Sequence, residues 1–177
     1  MRILGVDPGL QITGYGLIEA EGPVVRLLEG GVVRPDPELS LERRLLVLYE
    51  GISAVLREFQ PDSVVVEELY AKYAHPRTAI LMGHARGTVL LAAATLGIPY
   101  CGYEASLVKK SLTGNGRATK TQVAHMVCHL LALRELPSPE DVTDALALAL
   151  CHASPGRQVF TAIKGRRALP EAIARQL

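Results

Sequence analysis

The sequence predicts an α/β fold built on a mixed five-stranded sheet with helices on both faces. Three observations carry this. Two wholly apolar runs, Ile3–Val6 and Ser63–Val66, each end in an acid. The chain opens with three strand-like segments joined by short glycine-containing links. After residue 40, segments of helical period alternate with strand-like ones. Short links between consecutive strands make an antiparallel meander. Buried apolar strands alternating with helices make a parallel sheet covered on both faces.

Residues 2–7 read as a fully buried strand. GYGLIEA (14–20) and VVRLLEGGVVR (24–34) follow as the second and third strands of the meander, linked by DPG and EGP turns. A helix is predicted from Ser40, which can cap it, with Leu41, Leu45, Leu48, Ile52, Val55 and Leu56 at helical spacing. Pro61-Asp62 breaks it, and the apolar strand 63–66 ends in Glu67 and Glu68. RTAILMGHARGTVLLAAATL (77–96) is a helix that is apolar over much of its circumference, so it is buried on several sides or lies in an oligomer interface. Gly97 ends it. A strand over 98–103 and a short helix over 105–112 lead into the loop TGNGRAT (113–119). Two helices close the domain, about 120–135 and 139–153, separated by Pro137 and Pro139. The fourth and fifth strands are expected to run parallel to the first. This order of elements is that of the ribonuclease H-like fold.

The chain has 177 residues, 49% of them hydrophobic and 21% charged. That suits one globular domain and excludes a disordered chain. Net charge is +1, but residues 157–177 hold five basic groups and one acid, a surplus of +4, which leaves −3 on the other 156. Residues 1–154 are therefore read as the domain. Residues 155–177 are a basic tail, either a solvated, poorly ordered end or a surface for nucleic acid or protein. Cys101, Cys128 and Cys151 are widely spaced, as expected of unpaired thiols in a reducing cytoplasm. His125, Cys128 and His129 share one helical stretch, but zinc would need a fourth ligand and no second cluster is found. The N-terminus starts directly with a strand rather than a leader, and no apolar run is long enough to span a bilayer.

Asp7 raises the question of function. It either begins a turn before Pro8-Gly9 or is held at a strand end to bind metal. In the expected sheet, the strand after the first helix runs beside the first strand, so Asp7 and one of Glu67 or Glu68 end at the same edge. That edge is where open α/β sheets bind ligands. In SPEDVTDALALAL, Asp141 and Asp144 are three apart and share a helical face. Each acid also has a plainer reading. Ser138 can cap, with Pro139 in the first turn and Asp141 completing a capping box. Glu67 and Glu68 can simply mark where a strand meets water. Together, however, crowded acids repel one another unless a cation neutralises them. Mg²⁺ or Mn²⁺, hard ions that prefer oxygen, would suit. Two such ions about 4 Å apart serve phosphodiester hydrolysis. A phosphate-loop NTPase is not indicated, for want of GxxxxGK[ST].

At this point the residues match a known pattern. LGVDPGLQITGYG, FQPDSVVVEELY, GHARG, VKKSLTGNGRATKTQV and DVTDALALALCH occur in the order found in the RuvC family of bacterial Holliday junction resolvases, and the chain resembles that family over roughly residues 2–153. The resemblance implies a crossover junction endodeoxyribonuclease of homologous recombination and DNA repair. It implies that the metal-binding, catalytic carboxylates are Asp7, Glu67, Asp141 and Asp144, with Mg²⁺ as cofactor, Mn²⁺ substituting, and two ions per subunit. It implies a homodimer whose two sites nick symmetric strands of a four-way junction, with helix 77–96 at the interface. RuvA and RuvB, the branch-migration proteins, are implied as partners. Lys109 and Lys120 match basic positions of the family. Lys110 and Arg117 lie close by, beside a glycine loop where backbone and lysines can approach phosphates. Tyr70 matches an aromatic position and could stack on a splayed base, and Tyr73 could share that role. His75 is read as an exposed loop residue. Two other readings stay in view: a hybrid-cutting ribonuclease H-like enzyme, and a junction-binding protein without catalysis.

Overall fold

The computed structural model describes residues 1–69 and 76–154, with Pro76 described by its backbone alone. Strands β1 (Arg2–Asp7), β2 (Thr13–Glu21) and β3 (Val24–Val33) form the meander. Helix α1 (Leu41–Phe59), strand β4 (Ser63–Glu67), helix α2 (Pro76–Thr95) and strand β5 (Tyr100–Tyr103) follow. Helices α3 (Ala105–Thr113), α4 (Lys120–Leu130) and α5 (Glu140–Ala153) complete the fold. The sheet order is β3-β2-β1-β4-β5. β1 is antiparallel to β2, and β2 to β3, while β4 is parallel to β1, and β5 to β4. The predicted mixed sheet is therefore observed, and it is ribonuclease H-like.

Strand alternation divides the core in two. Leu4, Val6, Leu17, Val64 and Val66 face α1 and α2, packing on Leu48, Ile52 and Leu56 of α1 and Ala85, Val89, Ala92 and Ala93 of α2. Ile3, Ile18 and Val65 face the other side, where Val108, Val123, Val127 and Leu146 of α3, α4 and α5 cover them. Helix 77–96 is expected to be buried on several sides or to lie in an oligomer interface; within this chain the burial of α2 is partial, with Ile80 and Leu91 60% and 59% exposed. No helix among the described residues is long and apolar enough to cross a membrane.

Several boundaries differ from expectation for identifiable reasons. Helix α4 stops at Leu130 rather than near 135. Ala132 adopts a left-handed backbone (φ 52°), and the Leu133 and Ala132 amides donate back to the Cys128 and His129 carbonyls. This is a Schellman stop without the glycine that usually signals one. Helix α5 begins at Glu140 after Pro139, so Ser138 lies one residue too early to cap, and no side-chain cap or capping box involving Asp141 forms. Ser40 is at the N-cap of α1, but its hydroxyl bonds Glu42 rather than a backbone amide. Ile98 and Pro99 are spent on the turn after α2, where the Ile98 amide donates to the Ala93 carbonyl, so β5 starts at Tyr100.

One feature brings α5 directly onto the sheet. Gly5 of β1 pairs with Gly16 of β2, and Gly14 pairs with Asp7. A Cβ at Gly5 would stand 1.9 Å from the Ala145 carbonyl oxygen, and one at Gly14 would stand 2.2 Å from that of Asp141. A Cβ at Gly16 would meet the Leu146 side chain at 2.5 Å. The three glycines are a bed into which the helix backbone sinks. Gly5→Ala should therefore destabilise the protein by about 3 kcal/mol or more, as overpacking against rigid backbone does. Gly30→Ala, whose methyl would meet the Val142 side chain at 3.0 Å and the Tyr15 carbonyl at an ordinary 3.7 Å, should stay within about 1 kcal/mol of wild type. Urea melts of both variants check this, and equal effects would refute the bed.

Candidate active site

Parity decides which acids meet. In the β1–β4 register Val6 stands beside Val66, so Asp7 and Glu67 end adjacent parallel strands on the face that also carries Val65. Glu68 follows on the opposite face. Helix α5, seated on the glycine bed, brings Asp144 over this edge. Asp7, Glu67 and Asp144 line one cleft of about 320 Å³ with Lys109 and Lys120. Met82, Val108, Val123 and Leu148 form its apolar wall. Asp141, one turn earlier on α5 and half-buried, is outside the cleft lining and lies over Gly14 beside Asp7. The turn after β1 is fastened by Thr13, whose hydroxyl accepts from the Gly9 amide and donates 2.7 Å to the Gly9 carbonyl. The turn thus has its own clasp, and Asp7 is left to the cleft.

The electrostatics follow from this crowding. Burial first, then the charges of Glu67, Asp144 and Asp141, raise Asp7 to about 7, with Lys120 opposing. Glu67 is raised by burial and by Asp144, while Lys120 and Lys109 pull it back. Lys120 donates to Asp144 Oδ2 at 2.7 Å, a bond that raises the lysine above its usual value. Lys120 is placed by a capping box at the start of α4. The Thr119 hydroxyl accepts from the Gln122 amide, and the Gln122 side chain accepts from the Thr119 amide. The donor set is all carboxylate oxygen, crowded and short of positive charge, which fits a hard divalent cation. Among the described residues no three acidic, histidine or cysteine side chains yet converge closely enough to enclose an ion.

The family model for crossover junction endodeoxyribonuclease RuvC matches residues 3–152. The chain belongs to the RuvC family. It is 47% identical over 153 residues to the crossover junction endodeoxyribonuclease RuvC of Desulforamulus reducens, covering 86% of this chain and 93% of that one. Among solved structures it is similar to Thermus thermophilus RuvC, at 38% identity and a TM-score of 0.79, covering 86% of this chain and 93% of that one. It is also similar to T. thermophilus RuvC in complex with a Holliday junction substrate, with the same identity and coverage and a TM-score of 0.81.

Of the residues singled out from the sequence, the fold gathers Asp7, Glu67, Asp144, Lys109 and Lys120 in one cleft, with Asp141 at its margin. Lys110 and Arg117 are exposed and outside the cleft lining. The loop between them is pinned by Asn115, whose side chain accepts from the Arg117 amide at 2.9 Å. Tyr70, Tyr73 and His75 lie outside the described residues. Sequence reasoning passed over the glycine bed, although glycines inside strand patterns signal close backbone approach. It also missed the Thr119–Gln122 box, legible as T-x-x-Q before a helix.

The raised Asp7 gives a sign-definite test. An unfolded aspartate titrates near 4, so the folded, metal-free protein holds its proton more tightly. Asp7 costs nothing below about pH 4, and its cost grows as pH rises through about 7. In EDTA, Asp7→Asn should match wild type at low pH and exceed it at pH 8 by about 2–4 kcal/mol. Denaturant melts across that range measure it, and a gap that does not widen with pH would show that burial and the neighbouring acids do not raise Asp7.

Proposed function

We propose that this chain is a divalent-metal-dependent endonuclease that resolves four-way DNA junctions by paired, symmetric nicks, in homologous recombination and DNA repair. The observation that supports this most is the convergence of Asp7, Glu67 and Asp144 from three separate elements on one sheet edge, beside two lysines. Asp7, Glu67, Asp141 and Asp144 would hold Mg²⁺, with Mn²⁺ able to substitute, as two ions per subunit. The chemistry supplied by such ions when bound would be activation of a water and stabilisation of the leaving oxygen of a phosphodiester. The chain's own contribution is placement. The sheet edge presents Asp7 and Glu67 side by side, and α5 closes over them with Asp144. Lys109 and Lys120 set positive charge where a scissile phosphate would approach. Lys120 holds Asp144 with one N–H and keeps its others for phosphate oxygens. Lys110, Arg117 and Tyr70 are assigned to more distant DNA contacts.

Residues 1–154 are the nuclease domain and 155–177 a basic tail. The active form is a homodimer in the cytoplasm, since a two-fold protein matches the near two-fold symmetry of a junction. The outer face of α2, with exposed Ile80 and Leu91, supplies the apolar surface for that pairing. RuvA and RuvB are its partners by kinship.

A nicking assay on a synthetic four-way junction with a mobile core, with linear and RNA–DNA hybrid duplexes as controls, tests the reading. Wild type should give paired nicks in Mg²⁺ or Mn²⁺ and none in EDTA. Asp7→Asn should lose at least about 10³-fold in rate, the scale of losing preorganised charge stabilisation, and still bind the junction. Wild-type rates from Asp7→Asn would remove the carboxylates from the mechanism. Equal cutting of linear duplex would keep the chemistry and discard the junction as substrate.

A further inference from the structure

The GHARG segment of α2 is left unexplained by the cleft. Its arginine, Arg86, is far from idle. Arg86 Nε donates to the main-chain carbonyl of Glu67 at 3.1 Å, and Nη2 donates to Glu68 Oε1 at 2.8 Å. One planar guanidinium thus grips both residues at the end of β4, from outside the cleft lining. The Arg86 side chain is 18% exposed and that of Glu68 38%, so the guanidinium is largely covered while the carboxylate still meets solvent. Glu68 is itself fixed. Its amide donates to the Tyr103 carbonyl at 2.9 Å. Its carboxylate lies over Gly102, so closely that a Cβ there would stand 1.8 Å from Oε1. Glycine at 102 leaves the space that this carboxylate occupies.

β4 ends at Glu67, and one more ladder bond, from the Glu68 amide to the Tyr103 carbonyl, follows before the chain leaves the sheet. The Arg86 fork adds a side-chain hold on this last stretch of strand. We propose that Arg86, held by Glu68 over Gly102, is a positioning residue that fixes the Glu67 backbone and so aims the Glu67 carboxylate into the cleft. This rests on the reading of Glu67 as a metal ligand. It gives the second acid of the Glu67-Glu68 pair a task distinct from the first: Glu68 orients, and Glu67 ligates. A fork with two donors at fixed angles is required, because lysine cannot reach a carbonyl and a carboxylate in the same rigid geometry.

The test compares the full-length wild type with Arg86→Ala, Arg86→Lys, Gly102→Ala and Glu67→Gln. Mn²⁺ affinity is read by electron paramagnetic resonance of free Mn²⁺ and, independently, from the Mn²⁺ dependence of junction nicking. Junction affinity is measured in EDTA. Arg86→Ala should weaken Mn²⁺ binding about 10-fold or more, the usual scale for losing a group that orients a metal ligand. Junction affinity in EDTA should stay within about two-fold, because the guanidinium is occupied by Glu67 and Glu68 and is not part of the cleft lining. Arg86→Lys should recover part of the loss. Gly102→Ala, which displaces Glu68 while leaving both charges in place, should move Mn²⁺ affinity in the same direction as Arg86→Ala. An unchanged Mn²⁺ titration in Arg86→Ala overturns the proposal. If that variant does not fold, an unchanged titration in Gly102→Ala overturns it instead. Glu67→Gln separates the two levels: if it too leaves Mn²⁺ binding and nicking intact, the metal-ligand reading of Glu67 has failed, not merely its positioning.

Discussion

The close seating of α5 on the β1–β2 ribbon is the contact on which the rest of the site depends. A helix resting on ordinary strand side chains stands about 10 Å from a sheet. Here Gly5, Gly14 and Gly16 remove those side chains beneath the helix, and backbone meets backbone. The first turns of α5 are therefore lowered toward the ends of β1 and β4. Had those glycines carried side chains, Asp144 would stand away from Asp7, and the acids would be separate surface charges. The apolar residues Ala145, Leu146 and Ala149, all buried, then hold the helix down. Hydrophobic burial supplies the force that keeps like charges together.

That force is needed because the cleft is electrostatically unfavourable by itself. Burial and the neighbouring acids raise Asp7 and Glu67, and Lys120, bonded to Asp144, opposes this only in part. Stability is spent at the sheet edge and recovered in two apolar cores on either side of it. The faces divide the work. Odd-numbered positions of β1 and β4 carry acids toward α5, while even-numbered ones build the packing against α1 and α2. Glu68 falls on the packing side, which is why an arginine, not a cation-binding cleft, meets it.

Much of this was legible in the sequence because the signals were periodic. Apolar runs ending in Asp7 and Glu67, the glycine-linked meander, and the helical spacing from Leu41 to Leu56 all specify element type through burial. The order of elements then led to the sheet. Parity could have separated Glu67 from Glu68 without any relative, since Val64 and Val66 must share a face with each other and not with Glu67. What stayed hidden depended on contacts between distant segments. The glycines at 5 and 16 signal a close approach, but nothing local names the partner, a helix at the far end of the domain. Ser138 looked like a cap because capping is judged from neighbours, yet the first turn of α5 was set by its seat on the sheet. Ala132 ended α4 in a conformation that its type rarely adopts. Arg86 was visible only as a letter in a motif, since its two partners lie 18 and 19 residues away.

The Asp7 carboxyl carries one more implication. With its pKa pushed up to about 7, Asp7 in the metal-free cleft exchanges its proton with solvent around neutrality rather than in acid. Any cation seating against it must eject that proton into the solvent. Metal loading and acidity are thus two readings of a single exchange. The heat of loading would include the ionisation heat of whatever buffer receives the proton, and would differ between phosphate and Tris at the same pH. Alkaline conditions would tighten the apparent affinity until Asp7 is fully ionised and then stop doing so.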